Sequence, residues 1–362
     1  MPARVVLAMS GGVDSSVAAY LLKQQGYQVI GLFMRTGAHG AESDRQPAHK
    51  KGCCSALDAG DARRVADRLD IPFYALDFEA DFGRIIDYFT DEYLAGRTPN
   101  PCVVCNSWLK FGKLWWYGRQ LEADYIATGH YAQVATVAGQ PHLERAVDLE
   151  KDQSYVLFGL QRNMLTRLLF PVGGYRKEQI RSLARAAGLG LGDKPDSVEI
   201  CFVPDGDHGA LIRRRRPQLA TSGHIVDTGG KVLAEHGGIE NFTIGQRKGL
   251  GFAAGQRRYV LRILPEEHEV VVGSREELLA PSLLASRVNW LLDEPPSQPL
   301  RCCAKIRYRH PAAPAEVRVR PDGTVRVDFV EPQSAITPGQ AVVFYDGPRV
   351  LGGGWIEAAL PC

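Results

Sequence analysis

Short apolar runs alternate with helix-periodic segments over the first half of the chain. Residues 4–8, 27–34, 72–76 and 124–131 are dominated by apolar and aromatic side chains, as in Val5-Val6-Leu7-Ala8. Runs of this length predict strands buried on both faces. Between them Val13, Val17, Tyr20 and Leu21 fall at helical spacing ahead of Gly26, and residues 58–69 carry the stripe Ala62, Val65 and Leu69. Residues 82–94 and 176–187 show the same period, the latter ended by Gly188. Strands alternating with helices predict right-handed βαβ units about a parallel sheet, with ligands at the carboxyl ends of its strands. Met34 and the turn after Ala8 stand at such ends. Pro99 and Pro101 interrupt regular structure, so Asn106 is expected to cap a helix over 107–121 and to leave Cys105 at its N-terminus. A hairpin broken by Gly139-Gln140-Pro141, a short helix after Lys151 and a strand over 196–202 complete this half. The polar stretch 35–55, ending in Cys53-Cys54, reads as a long functional loop.

Beyond residue 204 the period shortens to two. Gly223 to Leu233 predicts a hairpin around Gly229-Gly230, and Val317-Arg318-Val319 and Val325-Arg326-Val327 a second one joined by Asp322-Gly323. Helical pattern is scarce from Tyr259 onward, which predicts a small closed β-barrel. The fold class expected is α/β: a parallel-sheet nucleotide-binding domain over 1–203, a small central domain over 204–272 and an antiparallel β-barrel over 273–362.

Composition narrows this only slightly. The 362 residues are 45% hydrophobic, enough for two or three cores. A net charge of +2 is too mild to identify a nucleic-acid partner, so any basic surface must be local. No signal-peptide pattern and no spanning apolar run is seen, which predicts no membrane partner and a cytoplasmic chain. In that reducing compartment the 8 cysteines are expected as thiols, catalytic groups or metal ligands. The run Arg213 to Arg216 reads as a solvated helix face.

The candidate chemistry starts at Met9-Ser10-Gly11-Gly12-Val13-Asp14-Ser15-Ser16, a turn between strand and helix. Glycines let a backbone approach a ligand, serines add hydroxyls, and a helix N-terminus favours an anion. No lysine of a Walker loop and no Gly-x-Gly-x-x-Gly fingerprint is present. The string resembles the PP-loop of ATP pyrophosphatases, which split ATP between the α- and β-phosphates. Cys105 at a helix start would be a reactive thiol, the alternative being a buried hydrophobe beside Cys102. His130 suits either a ligand contact or a structural role, Lys151-Asp152-Gln153 either a base edge or a helix cap, and Cys201 alone would be a core thiol. Thr243 to Gly251, with Arg247 and Lys248, fits an RNA backbone better than ATP. Lys305, Arg307, Arg309, Arg318 and Arg320 form either a solvated sheet face or an RNA-facing one.

Taken in order, Ser10 to Ser15, Asn100-Pro101 with Cys105-Asn106, Gly129-His130-Tyr131, Lys151 to Tyr155, Ile200-Cys201-Phe202 and Thr243 to Gly251 resemble the tRNA-specific 2-thiouridylase family over essentially the whole chain. That family places sulfur on C2 of the wobble uridine in tRNAs for lysine, glutamate and glutamine. The resemblance implies an N-terminal PP-loop domain of adenine nucleotide alpha-hydrolase type. It implies that Ala8, Met9, Ser10, Gly11, Gly12, Val13, Asp14, Ser15, Met34 and Gly129 bind ATP. Asn100, Pro101, Cys102, Lys151, Asp152 and Gln153 would surround the target base, and His130, Arg307, Tyr308 and Gln340 would contact tRNA. Cys105 would be the nucleophile and Cys201 the persulfide carrier, with Mg²⁺ on the departing pyrophosphate near Asp14. A cysteine desulfurase or a relay protein would supply sulfur, and the anticodon stem-loop would enter the site. Many members carry aspartate where this chain has Cys102, and the change creates Cys102-x-x-Cys105. With Cys201 this is a candidate iron–sulfur cluster site. The remaining rival is another PP-loop enzyme, an ATP-dependent ligase or amidotransferase.

Overall fold

The computed structural model describes residues 2–37, 55–196, 200–252 and 256–361. The chain divides into two compact units. The first comprises Met1–Ile85, Cys102–Gly206 and Pro348–Val350, the second Ile86–Pro101, Asp207–Gly347 and Leu351–Cys362.

The first unit is built on β1 (Arg4–Ala8), α1 (Val13–Gln24), β2 (Gln28–Arg35), α2 (Ala56–Arg68) and β3 (Phe73–Asp77). α3 (Glu79–Leu94) follows, and then a helix that begins as α4 (Pro101–Val104) and ends as α5 (Leu114–Gln120). β4 (Tyr125–Thr128), the hairpin β5 (Ala132–Val137) and β6 (Gln140–Arg145), β7 (Leu168–Leu169) and α6 (Lys177–Ala186) complete it. The sheet runs β3-β2-β1-β4-β7 with every pair parallel. Strand order reverses direction at β1, so the turn after Ala8 opens at the switch point where parallel sheets hold ligands. Val5, Leu7, Val17, Ala18, Leu22 and Phe33 are sealed in the core that α1 closes. Gly26 and Gly188 both take positive φ after their helices, as the sequence predicts.

Two expected elements differ. The prolines do not break the chain before residue 107; the helix starts at Pro101 itself. Proline suits a first helical position, because its missing N–H would have no partner there. Cys105 therefore lies a full turn inside the helix, and Asn106 does not cap it. From Cys105 to Lys113 the coil widens into a π-helix. The strand expected over 196–202 is also absent from its described part: Ile200 to Val203 form a turn closed by Val203 N–H on the Ile200 carbonyl at 2.8 Å, with Cys201 inside it. Ser197 to Glu199 and the long polar loop with Cys53 and Cys54 lie outside the described residues.

The second unit holds α7 (His208–Arg215) and two β structures. β8 (Gly223–Asp227), β9 (Val232–His236), β10 (Tyr259–Leu264) and β11 (Glu269–Gly273) form a sheet of order β10-β11-β8-β9 around Ile225, Phe242, Val260 and Val272. β12 (Leu279–Trp290), β13 (Leu300–Lys305), β14 (Ala313–Val319), β15 (Val325–Ser334), β16 (Ala341–Asp346) and β17 (Arg349–Leu360) form an antiparallel run β12-β15-β14-β13-β16-β17. β12 also pairs with β17, which closes the barrel on Leu283, Val317, Val327 and Phe344. Gly323 takes φ +78° in the expected tight turn. Cys302 packs against this core, where burial first, then the Cys303 beside it, pushes its thiol up to about 12.

The arginine run is not a free solvated face. Arg215 donates to Asp87 at 2.8 Å, Arg216 to Asp91 at 3.0 Å, and Arg213 to the buried Glu240 at 3.1 Å.

The start of α1 is crowded by backbone. A Cβ on Gly129 would stand 2.6 Å from the Ser15 nitrogen and 2.9 Å from the Asp14 carbonyl carbon. Gly129→Ala should cost about 1–3 kcal/mol as the two segments part. The check is the thermal unfolding midpoint, with Gly174→Ala, whose Cβ would meet nothing within 4 Å, as the reference that stays near wild type.

Candidate functional site

Gly12 caps α1 without any side-chain hydrogen bond, so the first-turn N–H groups are not screened by a capping side chain. Ser15 and Ser16 turn inward. Ser15 Oγ accepts from Ser10 N at 3.2 Å, and the Ser16 hydroxyl donates to the Gly12 carbonyl at 2.8 Å. They brace the turn, and Ser10 alone of the three hydroxyl side chains is exposed. Gly11 adopts φ +73° and lies so close to α2 that a Cβ would be 2.1 Å from the Asp58 carbonyl oxygen. Met34, buried at the end of β2, and Gly129 stand at neighbouring strand ends. This is a backbone cradle that suits the phosphates of a nucleotide.

A charged network that no local pattern announces lies beside it. Lys177, only 9% exposed at its side chain, donates to both oxygens of Asp14 at 2.8 Å and pairs with Asp196 at 2.8 Å. Tyr131 donates to Asp14 at 2.9 Å; burial, then the Asp14 charge, raises its hydroxyl well above the usual range. Lys151 and Arg181 reach Asp196 at 2.9 and 2.8 Å. Burial raises the Asp196 carboxyl, but Lys177 and Lys151 outweigh it and hold the group below its ordinary value. Asp14 is thus engaged by a cation of the protein, and the expected role as a magnesium ligand does not fit its surroundings. Lys177 is a functional candidate that the sequence reading missed. Its signal was its place in the first turn of α6, where a cation opposes the helix dipole.

The three expected thiols share the first unit: Cys102 is exposed in α4, Cys105 half-buried where the π-helix begins, and Cys201 half-buried in its turn. Among the described residues no three His, Cys, Asp or Glu side chains are grouped to hold a metal ion. Cys102, Cys105 and Cys201 are therefore not assembled as cluster ligands, which corrects the iron–sulfur expectation.

Several expected tRNA contacts are turned inward. Asp152 accepts from Ala146 N, Ser154 N and Ser154 Oγ at 3.1, 3.1 and 2.8 Å, all within buried structure. Gln153 Oε1 accepts from Tyr131 N at 2.9 Å while its own N–H donates to the Tyr131 carbonyl. His130 is buried, with Nδ1 2.8 Å from Thr128 Oγ1 and its ring among Phe111 and Phe170. Burial, then Lys110, holds its pKa well below the usual histidine value. In the second unit Gln340 donates to the Thr98 and Pro99 carbonyls at 3.0 Å and steadies the strap that ends in Asn100 and Pro101. Tyr308 is exposed with Lys305 5.6 Å from its ring, and Arg307 reaches the Ser334 carbonyl. Arg318 is taken by Glu316 and Asp328, which removes it from the proposed basic face.

A parallel sheet with a glycine–serine turn at its switch point is the nucleotide-binding arrangement of PP-loop enzymes. Family models match nearly the whole chain: a tRNA methyl transferase HUP domain over residues 3–205, a tRNA methyl transferase PRC-barrel domain over 211–274, and an Aminomethyltransferase beta-barrel domain over 281–356. The tRNA-specific 2-thiouridylase MnmA of Rhodopirellula baltica is 49% identical, covering 99% of this chain and 97% of its own. That of Carboxydothermus hydrogenoformans is 51% identical, covering 99% and 98%. The chain belongs to the tRNA-specific 2-thiouridylase family. A solved 4-thiouridine synthetase–RNA complex with bound ATP is 14% identical with a TM-score of 0.36, over 60% of this chain and 54% of that one, too distant to carry weight.

His130 sets a pH dependence of known sign. Its folded pKa is depressed, so the unfolded chain binds a proton first as pH falls below about 6.5. Its contribution is full above that value and is lost on acidification, by up to about 1.4 kcal/mol per pH unit. The fall of the unfolding midpoint between about pH 7 and 5 should be shallower in His130→Asn than in wild type.

Proposed function

We propose that this protein is an ATP-dependent tRNA-uridine 2-sulfurtransferase acting on the wobble uridine. The observation that carries the reading is near-half identity, end to end, with relatives named tRNA-specific 2-thiouridylase. The parts needed for it occur in one compact unit: a phosphate cradle, Cys105 and Cys201. No helix among the described residues is long and apolar enough to cross a membrane, which is compatible with the cytoplasmic setting proposed here.

Uracil C2 carries an oxygen that does not leave. The oxygen attacks the α-phosphorus of ATP, the α–β phosphoanhydride bond breaks, and pyrophosphate departs from the cradle. Lys177, pivoting from Asp14, is the cation nearest to the charge that develops there. Magnesium carried on the phosphates neutralises their charge. The adenylated C2 now has AMP as its leaving group. A persulfide on Cys201 holds the sulfur. The Cys105 thiolate attacks the inner sulfur, a Cys105–Cys201 disulfide forms, and hydrosulfide leaves to add at C2 as AMP departs. A thiol reductant then returns the disulfide to two thiols. A cysteine desulfurase or relay protein is the proposed source of the persulfide. The base must be turned out of the anticodon loop to reach these groups, and the bound tRNA excludes water from the adenylate.

The test is mass spectrometry of nucleosides from tRNA incubated with the enzyme, ATP, a cysteine desulfurase and cysteine. Wild type should convert wobble uridine to 2-thiouridine, and Cys105→Ser and Cys201→Ser should fall to background. Wild-type conversion by either variant would reject the two-thiol scheme. An added methyl group in place of oxygen-for-sulfur exchange would favour the chemistry worded in the family-model descriptions.

A further inference from the structure

Lys194 is a cation of the first unit with no part in the steps above. Its ammonium donates to the Gly11 carbonyl at 2.9 Å, to Asp58 at 2.7 Å and to Asp61 at 2.6 Å, which uses all three of its protons. Burial lowers its pKa, but the bonds to Asp58 and Asp61 outweigh that and raise it, so it stays charged at neutral pH. Asp58 is itself fixed in the capping box of α2 with Ser55. The anchor is therefore the rigid start of a helix.

Gly11 is the left-handed residue of the PP-loop, and in a trans peptide a carbonyl and the next N–H point to opposite sides. A cation that draws the Gly11 carbonyl toward α2 turns the Gly12 N–H away from α2. We propose that Lys194 is a positioning residue of the PP-loop, which aims the Gly12 N–H at the nucleotide phosphates. Without it the Gly11–Gly12 peptide is free to rotate and offer a carbonyl oxygen where a donor is needed. Two residues further on, Asp196 is held by Lys177, itself bound to Asp14 in the first turn of α1. The short segment that leads toward Cys201 is thus fastened to the loop at two points. This inference rests on the nucleotide reading above.

The experiment is calorimetric titration of full-length wild type, Lys194→Met and Lys194→Arg with a non-hydrolysable ATP analogue, without tRNA, alongside each protein's unfolding midpoint. Lys194→Met should bind about ten- to a hundredfold more weakly, the loss expected for one donor to a charged group. Lys194→Arg, which can still donate to several acceptors, should recover most of the affinity. Wild-type affinity in folded Lys194→Met, with only a lowered midpoint, would make the residue merely structural and overturn the proposal. Failure of Lys194→Arg to recover affinity despite a normal midpoint would also count against it. A wild-type enzyme that bound no nucleotide would overturn the site reading and this inference together.

Discussion

The rest of the site depends on how closely two backbone segments press on the first turn of α1. Gly129 approaches it from the end of β4, and Gly11 rests against the carbonyl that opens α2. A side chain at either position would part these segments. Because the approach is made by glycine backbone, the cradle is shaped by peptide dipoles, and side chains are left to brace it. Ser15 and Ser16 bond back to the loop, and two lysines hold it from outside.

The lysines belong to different circuits. Lys177 joins the first turn of α1 to Asp196, and Lys194 joins the turn itself to α2. Both are partly or wholly withdrawn from water, where ion pairs are screened less than at a surface. The surface of the second unit spends its charge differently. Arg213, Arg215, Arg216 and Arg318 are neutralised by carboxylates of their own unit. A basic string in a sequence therefore overstates the positive field that a folded surface presents.

The α/β half was legible because strand and helix periods are local, and the PP-loop because six adjacent residues carry it. The misreadings have physical causes. Pro101 was taken as a breaker although a first helical position tolerates proline. Val198, Ile200 and Phe202 alternate as in a strand, yet Cys201 sits in a turn and charged pairs hold the segment before it. Lys177 and Lys194 reach partners 163 and 183 residues away, and no period or spacing encodes such pairings. His130 and Asp152 looked like ligand contacts because their polarity was visible while their burial was not.

The wide coil from Cys105 to Lys113 has a consequence for how this family can change length. A π segment holds one more residue per loop of hydrogen bonds than its α neighbours. Loss of a single residue there would let the coil tighten into ordinary α-helix and rotate everything downstream by about 100°. Leu114 and Gly118, now sealed inward, would swing toward solvent. The surplus residue thus works as a phase setter: it lets the half-buried thiol at one end and the packed face at the other occupy orientations that a uniform helix would not grant together.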